Sequence, residues 1–517
     1  MLSLCLTGHD LKSTDLWRAA KQGAKNPTEL KIEISPEARI RVENSSNYIA
    51  KILQNEKPVY GVNTGFGKFA EVAIGHDKLQ ELQKNLILSH SCGVGDLLDP
   101  EILYAHWLIR LNTFCRGHSG VRPSTIDFVI ECLEQGLLGQ VPSRGSVGAS
   151  GDLSPSAHAS LCLLGVGKCF AFTGGQWRPM ASAEGLKMFG LKPLVLGPKE
   201  GLSLINGTQT SAALTLKACL EGQTLVRLSN LTLVLSLEGL RGTHKLFSRK
   251  ILENKNQVGV LFCGEDSKLW IPSETEISKS HESCKRVQDP YSLRCAPLVH
   301  GAIWDDLVYA QKILENEINS STDNPLVFPE DGGQTLSGGN FHALYAARAA
   351  DQITSGLCTL GTISERRIAT AMSKESSGLP PFLVGDGGFN SGFMMAHVTA
   401  AALASESKSL SFPASVDTIP TSDDREDHVS MGPGAAFKAL TVLKNTRRIL
   451  AIEILTACQA IDFLRPLKSS PALERIHARI RQEVTFLDKD RVLSDDILKI
   501  ETLLENHSVE ILSLQDS

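Results

Sequence analysis

The feature of this sequence that most constrains its fold is a series of long helical patterns with few charges. Apolar residues recur at helical spacing in six long segments, 206–240, 303–318, 343–372, 394–410, 435–463 and 496–512. Spacing of this kind predicts helices, and sparse charge indicates helices that do not turn a broad polar face to water. Gly356 and Gly361, inside one segment, predict a close helix crossing rather than a break. We therefore expect a mainly α protein, a bundle whose long helices are buried on most sides, partly by other subunits.

Composition agrees with a folded enzyme-sized chain. The 517 residues, 42% hydrophobic and 21% charged, allow a large core and argue against general disorder. A formal net charge of −5 offers no polycationic surface for nucleic acid or membrane lipid. The 12 cysteines include no Cys-x-x-Cys pair, which favours reduced thiols in the cytoplasm. The first ten residues do not resemble a signal peptide, and the apolar run 228–237 is too short to span a bilayer.

A glycine-rich loop around one serine, GSVGASGDLSP over 145–155, is the most unusual stretch. Its glycines and proline are incompatible with ordinary helix or strand and permit one backbone group to touch another. If the amide nitrogen of Gly151 attacks the carbonyl carbon of Ala149, a five-membered ring closes and water leaves. Loss of a second water from the Ser150 side chain then gives an exocyclic methylidene, an electrophile. Small neighbours leave room for this attack.

The loop also has more ordinary interpretations. Glycine-rich loops more often form turns or phosphate-binding nests. A nucleophile elbow requires Gly-x-Ser-x-Gly, and neither Ser146 nor Ser150 fits, because Arg144 lies two residues before Ser146 and Asp152 two residues after Ser150. On this loop alone, the choice between turn, nest and electrophile stays open.

Several polar residues interrupt the apolar segments. Tyr60 lies in a second glycine-rich loop, 59–68, where a phenol can project from a closely packed backbone. Tyr291 and Arg294 are three residues apart, which places them on one side of a helical turn. The planar guanidinium of Arg294 suits a substrate carboxylate, with a structural Arg–Asp pair as the alternative. Glu426 belongs to the charged cluster 425–428, either a solvated loop or a carboxylate in a pocket.

Together these stretches resemble the aromatic amino acid ammonia-lyases, from Tyr60 to about Gly432 and in the order of that family. The segments YGVNTGFG, GSVGASGDLSP and QDPYSLRC carry the resemblance. It implies that Ala149, Ser150 and Gly151 form a 4-methylidene-imidazol-5-one (MIO) group, with no metal and no dissociable coenzyme.

The resemblance also implies an architecture similar to the fumarase and aspartase helical lyases. We expect an N-terminal domain over 1–209 that carries the MIO loop, and a central and C-terminal helical bundle over 210–517. It implies a homotetramer whose active sites draw on three chains, acting on a small-molecule substrate and not on nucleic acid or membrane.

Matching positions imply roles for further residues. Tyr60 or Glu426 corresponds to the general base, and Asn206 lies beside the electrophile. Gln288, Tyr291 and Arg294 correspond to polar pocket residues, with Arg294 binding the carboxylate. Phe341 corresponds to an aromatic residue packed near the electrophile.

The pair Ser89-His90 decides the expected substrate. Family members that act on histidine have Ser-His at this pair, whereas those acting on tyrosine and phenylalanine have His-Leu and Phe-Leu. A histidine can hydrogen-bond an imidazole ring, which leucine cannot. We therefore predict elimination of ammonia from L-histidine to give trans-urocanate, the first step of histidine degradation. The alternatives are a lyase for tyrosine or phenylalanine, an aminomutase on the same electrophile, or a non-catalytic helical tetramer.

Overall fold

A computed structural model describes residues 1–54, 59, 61–64, 75, 78–283, 286–330 and 332–515. The chain divides into two compact units, each built from three separate segments. Unit 1 comprises Met1–Lys217, Gln311–Asp351 and Pro413–Phe437. Unit 2 comprises Ala218–Ala310, Gln352–Phe412 and Lys438–Ser517.

Unit 1 contains all strands of the part of the chain that the structure describes, and they form small sheets. Leu2–Leu6 pairs in parallel with Leu30–Ile34. The remaining pairs are antiparallel: Val94–Leu97 with Pro142–Arg144, Lys168–Thr173 between Leu137–Gly139 and Gln176–Ala181, and Leu326–Phe328 with Gln334–Leu336. None of these sheets is large enough to form the core of the unit, which is helical.

Among the helices of unit 1, Pro100–Cys115 is buried continuously from Ile102 onward. Pro100 occupies the first turn, where its missing N–H is not needed. The others are Ser13–Lys25, Pro36–Leu53, Leu79–His90, Pro123–Gln135, Leu153–Leu161, Ser182–Met188 and Glu200–Ile205, with short 3-10 turns at Pro27–Glu29, Cys162–Leu164 and Ala414–Val416. A mostly helical unit with little sheet agrees with the predicted fold class.

Four long helices contribute residues to both units. They are Gln209–Gly239, Ala296–Glu317, Leu344–Met372 and Gly432–Asp462. Each was expected from the weakly charged helical pattern, with ends that differ by three residues or fewer, except that Ala296–Glu317 begins seven residues before the predicted 303. The predicted close crossing is confirmed inside unit 2, because a Cβ atom on Gly356 would lie 3.2 Å from Ile303 and one on Gly361 would lie 3.1 Å from Ile449.

In the described residues of unit 2, all of the regular secondary structure is helical. Besides its parts of the long helices it contains Arg249–Asn254, Val258–Trp270, Glu276–Lys279, Tyr291–Arg294, Lys374–Ser377, Met394–Leu410, Pro471–Glu483, Leu493–Asn506 and Ser508–Ser513, with 3-10 turns at His244–Phe247 and Pro381–Leu383. The single helix expected over 496–512 is wrong, because the helix ends at Asn506 and a new one begins at Ser508. Among the described residues no helix is long and apolar enough to cross a membrane.

Candidate active site

The loop 145–155 folds tightly because two of its glycines adopt left-handed backbone conformations. Gly148 has φ +70° and Gly151 has φ +77°. A Cβ atom on Gly148 would lie 2.2 Å from Ser430 Oγ, and one on Gly151 would lie 2.2 Å from the Gly207 carbonyl oxygen. Neither position can therefore hold a side chain without displacing its neighbour.

Hydrogen bonds inside the loop hold it closed. Ser146 Oγ accepts from the Gly148 amide at 3.0 Å and donates to the Gly151 carbonyl at 3.3 Å. Two further hydrogen bonds come from outside the loop. Ser430 Oγ donates to the Gly148 carbonyl at 3.0 Å, and the Met431 amide donates to the Val147 carbonyl at 2.8 Å. The segment 430–431 thus stabilises the conformation of the loop through these two hydrogen bonds.

A second segment, Asn206-Gly207, binds the loop on both sides of Gly151. The Asn206 side-chain amide donates to the Ser150 carbonyl at 2.9 Å, and the Asp152 amide donates to the Gly207 carbonyl at 2.7 Å. No hydrogen bond among the described residues is donated by the Gly151 amide itself. The nitrogen that the ring closure requires is thus not engaged elsewhere.

The Glu426 carboxylate accepts a hydrogen bond from the Ser150 hydroxyl group. Ser150 Oγ donates to Glu426 Oε1 at 2.6 Å, while Thr421 Oγ1 and Ser422 Oγ each donate to Oε2 at 2.7 Å. Burial acts to raise the pKa of the Glu426 carboxyl, but these three hydrogen bonds and the nearby His90 outweigh burial and lower that pKa. The carboxylate is therefore ionised at neutral pH.

His90 is the last residue of the helix Leu79–His90, and these bounds are the ones that the amphipathic pattern of the sequence predicts. Its Nδ1 lies 2.8 Å from the Leu86 carbonyl oxygen, and Ser89 Oγ lies 3.1 Å from the same nitrogen. Because a carbonyl oxygen can only accept, we assign the proton to Nδ1. In the neutral ring, Nε2 is then an acceptor.

These groups line one cavity of unit 1, with a volume of about 700 Å³. The lining includes His90, Ala149, Ser150, Gly151, Asn206 and Glu426. A cavity of this size holds a small-molecule ligand, and about half of the residues in its wall are polar. Unit 1 therefore brings together six of the residues predicted from sequence.

Phe341 and Tyr60 were also predicted for the site. Phe341 is not among the described residues that line the cavity, although its carbonyl oxygen would lie 3.0 Å from a Cβ atom on Gly151. Tyr60 lies outside the described residues.

Three predicted polar residues belong to unit 2. Tyr291 and Arg294 form the short helix Tyr291–Arg294, with the guanidinium carbon 4.8 Å from the centre of the Tyr291 ring. Their predicted placement on one side of a helical turn is confirmed. Gln288 is exposed just before this helix.

Two buried charged residues, one inside the loop and one beside it, were not predicted from the sequence as site residues. Asp152 accepts from the Ser211 amide at 2.7 Å and from Ser211 Oγ at 2.6 Å, and burial raises its pKa to about 6. Arg110 lies in the helix Pro100–Cys115 with no exposed surface. The available signal was an arginine inside an otherwise apolar helical pattern, which is costly unless the residue is used.

Comparison with known proteins places the chain in a family. The family model described as aromatic amino acid lyase matches residues 11–482. The chain belongs to this family, so the resemblance inferred from the motifs is confirmed and the protein is a carbon–nitrogen lyase.

Particular relatives match over nearly the whole chain. A histidine ammonia-lyase from Anaeromyxobacter sp. (strain K) is 44% identical over 516 residues, which cover 99% of this chain and 100% of the relative. The crystal structure of histidine ammonia-lyase from Trypanosoma cruzi matches with TM-score 0.89 and 38% identity, covering 100% of this chain and 95% of that one. A tyrosine aminomutase from Streptomyces globisporus matches with TM-score 0.91 and 32% identity, covering 99% and 98%. These matches confirm the helical fold.

Proposed function

We propose that this protein eliminates ammonia from L-histidine to give trans-urocanate. The observation that carries the proposal is the shared cavity of unit 1, where the loop with Ser150 meets His90 and the ionised Glu426. The full-length similarity to histidine ammonia-lyases supports the same substrate. The cavity offers a hydrogen-bond acceptor and a carboxylate, a pair suited to an imidazole ring.

The electrophile of this reaction would be the MIO group formed from Ala149, Ser150 and Gly151. The residues present fit this group, because Gly151 leaves no room for a side chain and its amide is not engaged among the described residues. Asn206 is placed to donate to the Ser150 carbonyl, which the ring retains. Once formed, the group supplies an electrophilic carbon that makes the substrate amine a better leaving group.

Side chains of this protein would supply proton transfer and orient the substrate ring. Glu426, ionised at neutral pH, can accept the β-proton or a ring N–H of the substrate, and Tyr60 is the alternative base. His90 Nε2 accepts a hydrogen bond from the imidazole ring. Holding the ring in this way keeps the reacting atoms aligned.

Binding of the substrate carboxylate is assigned to Arg294, with Tyr291 and Gln288 as further polar residues. This assignment, like that of Phe341, rests on the matching family motifs. A homotetramer with active sites that draw on three chains is part of the same proposal. Its cytoplasmic location stays a prediction from sequence.

A direct test is the absorbance of urocanate when the purified protein is given L-histidine, with L-tyrosine and L-phenylalanine in parallel. We expect urocanate from L-histidine and little product from the other two. The matched control S150A lacks the hydroxyl group and should be inactive but folded. Comparable turnover of all three amino acids would contradict the substrate assignment.

A second candidate activity is that of an aminomutase, favoured by the match to the tyrosine aminomutase. An aminomutase would return the amine to the neighbouring carbon. Product analysis separates the two: a β-amino acid indicates a mutase, and urocanate with free ammonia indicates a lyase.

A further inference from the structure

Arg110 is a buried cation that takes no part in the proposed reaction. Its Nη2 donates a hydrogen bond to the Asn206 carbonyl oxygen, while Nε and Nη1 find no hydrogen-bond partner among the described residues. Burial lowers the pKa of the guanidinium to about 10, which still leaves it charged at neutral pH. A buried charge with unsatisfied donors is costly, so packing does not explain its presence.

Acidic residues of unit 1 offset this charge. Asp323 and Asp152 both favour the charged form of Arg110, and Asp323 is shared with buried Lys199, whose Nζ lies 2.9 Å from its carboxylate. The guanidinium is thus held in place by charge as well as by its hydrogen bond to the Asn206 carbonyl oxygen.

Asn206, which accepts the hydrogen bond from Arg110, is the first residue of the segment Asn206-Gly207. This segment contacts the peptide groups on either side of Gly151, through the Asn206 side chain to the Ser150 carbonyl and through the Gly207 carbonyl to the Asp152 amide. Arg110 Nη2 also lies 3.1 Å from where a Cβ atom on Gly207 would be. A displacement of the segment would therefore release both peptide groups that flank Gly151.

We propose that Arg110 is a positioning residue for formation of the electrophile. By holding Asn206-Gly207 it keeps the Gly151 amide nitrogen against the Ala149 carbonyl carbon. Arg110 acts through Asn206 and touches none of the reacting atoms. The inference rests on the proposed function, because it assumes that the loop cyclises.

The chemistry that Arg110 assists releases two water molecules. A bond forms between Gly151 N and the Ala149 carbonyl carbon, and the Ala149 oxygen leaves as water with the amide protons of Gly151 and Ser150. This step leaves a double bond between that carbon and Ser150 N. The second water carries away Ser150 Oγ with its own proton and the proton of Ser150 Cα.

The test measures the mass of peptide 145–168 at successive times after a pulse of synthesis of the full chain. In R110M, we expect loss of the two waters to be about 10- to 100-fold slower than in the wild type, as for loss of a charge-assisted hydrogen bond. R110K, which keeps a charge and a donor, should recover part of the rate. A general loss of stability would not be rescued in this way.

A matched control is R367M in unit 2. Arg367 is buried like Arg110 and pairs with Glu453, so its removal also destabilises the chain. Peptide 145–168 of R367M should lose both waters at the wild-type rate. If R110M does not fold, R110Q provides the test, since its shorter, uncharged side chain removes the charge-assisted hydrogen bond to Asn206.

Three outcomes separate the hypotheses. Slow water loss in folded R110M or R110Q, with normal loss in R367M, supports the positioning role. Wild-type rates in folded R110M or R110Q overturn it. A wild-type peptide that keeps both waters overturns the proposed electrophile itself, and this inference with it.

Discussion

Ser150 Oγ and Glu426 Oε1 lie 2.6 Å apart, so the hydroxyl group that must leave the loop points at the carboxylate of the same cavity. Two other hydroxyl groups satisfy the opposite oxygen, Oε2. When Ser150 loses its hydroxyl, Oε1 loses its donor and becomes an acceptor for a substrate. One carboxylate can thus serve the loop before the reaction and the substrate during it.

Glu426→Gln should lower kcat/KM for L-histidine by about 10²- to 10⁴-fold, because the amide cannot accept a proton as a carboxylate does. Urocanate absorbance measures the rate, and the mass of peptide 145–168 in the same sample shows whether the electrophile is present. E474Q is the control, since Glu474 is a half-buried carboxylate of unit 2 whose pKa, despite burial, is lowered mainly by Arg465. Turnover of E426Q near that of E474Q would rule out the role of Glu426.

His90→Leu should reduce kcat/KM for L-histidine by about 10- to 100-fold, because the imidazole N–H would lose the acceptor that His90 Nε2 provides. The activity on L-phenylalanine should rise in the same variant. H90Q, whose side-chain oxygen can replace Nε2, should recover part of the activity on L-histidine. Parallel ammonia release from both amino acids measures the ratio, and an unchanged ratio in H90L would refute the specificity role.

His106 should make the fold sensitive to mild acid. Burial lowers its pKa from 6.5 to about 3, and its Nδ1 lies 2.9 Å from Thr210 Oγ1. Below pH 6.5 the unfolded chain binds a proton that the folded chain does not, so stability is full above pH 6.5 and falls as the pH decreases.

Urea unfolding at pH 7 and pH 5 checks this. We expect wild type to lose about 2 kcal/mol more than H106N over this interval. H507N is the control, because His507 is exposed and should behave as wild type. Equal acid sensitivity in wild type and H106N would show that His106 is not responsible.

Gly148→Ala should destabilise the loop by about 1–3 kcal/mol, because its Cβ would clash with Ser430 Oγ in a left-handed conformation. We expect a lower melting temperature and slower water loss from peptide 145–168. The double variant G148A/S430G removes the clash and should restore part of both. G434A, where nothing lies within 4 Å of the new Cβ, should shift stability by less than about 1 kcal/mol. A wild-type melting temperature for G148A would contradict the packing argument.

Local patterns predicted the helices well where they had clear ends. Leu79–His90 was predicted with both ends correct. The sequence also suggests Asp15 as the cap of a helix over 16–21, which is wrong, because the helix begins at Ser13 and Asp15 lies in its first turn. After the loop the sequence predicts a helix from about Ser156, but the helix begins at Leu153, since Pro155 is tolerated in a first turn. Errors of this kind arise because tertiary contacts decide where a helix starts.

The sequence predicted those site residues that lie within recognisable local motifs. Ser150, His90 and Glu426 were assigned from separate motifs, and the structure places them around one cavity. Arg110 was missed because its contact with Asn206 spans 96 residues of sequence and leaves no local pattern. The role of a buried charged residue depends on the neighbours that the fold places beside it, which the local sequence does not show.

The contacts of Asn206-Gly207 have a consequence for the life of the chain in the cell. These residues lie more than fifty positions beyond the loop, so they reach it only after the intervening polypeptide has been synthesised and packed. A nascent, truncated or misfolded copy would hold an ordinary serine that is harmless to cellular thiols and amines. The reactive carbon would then arise only in molecules already able to enclose it.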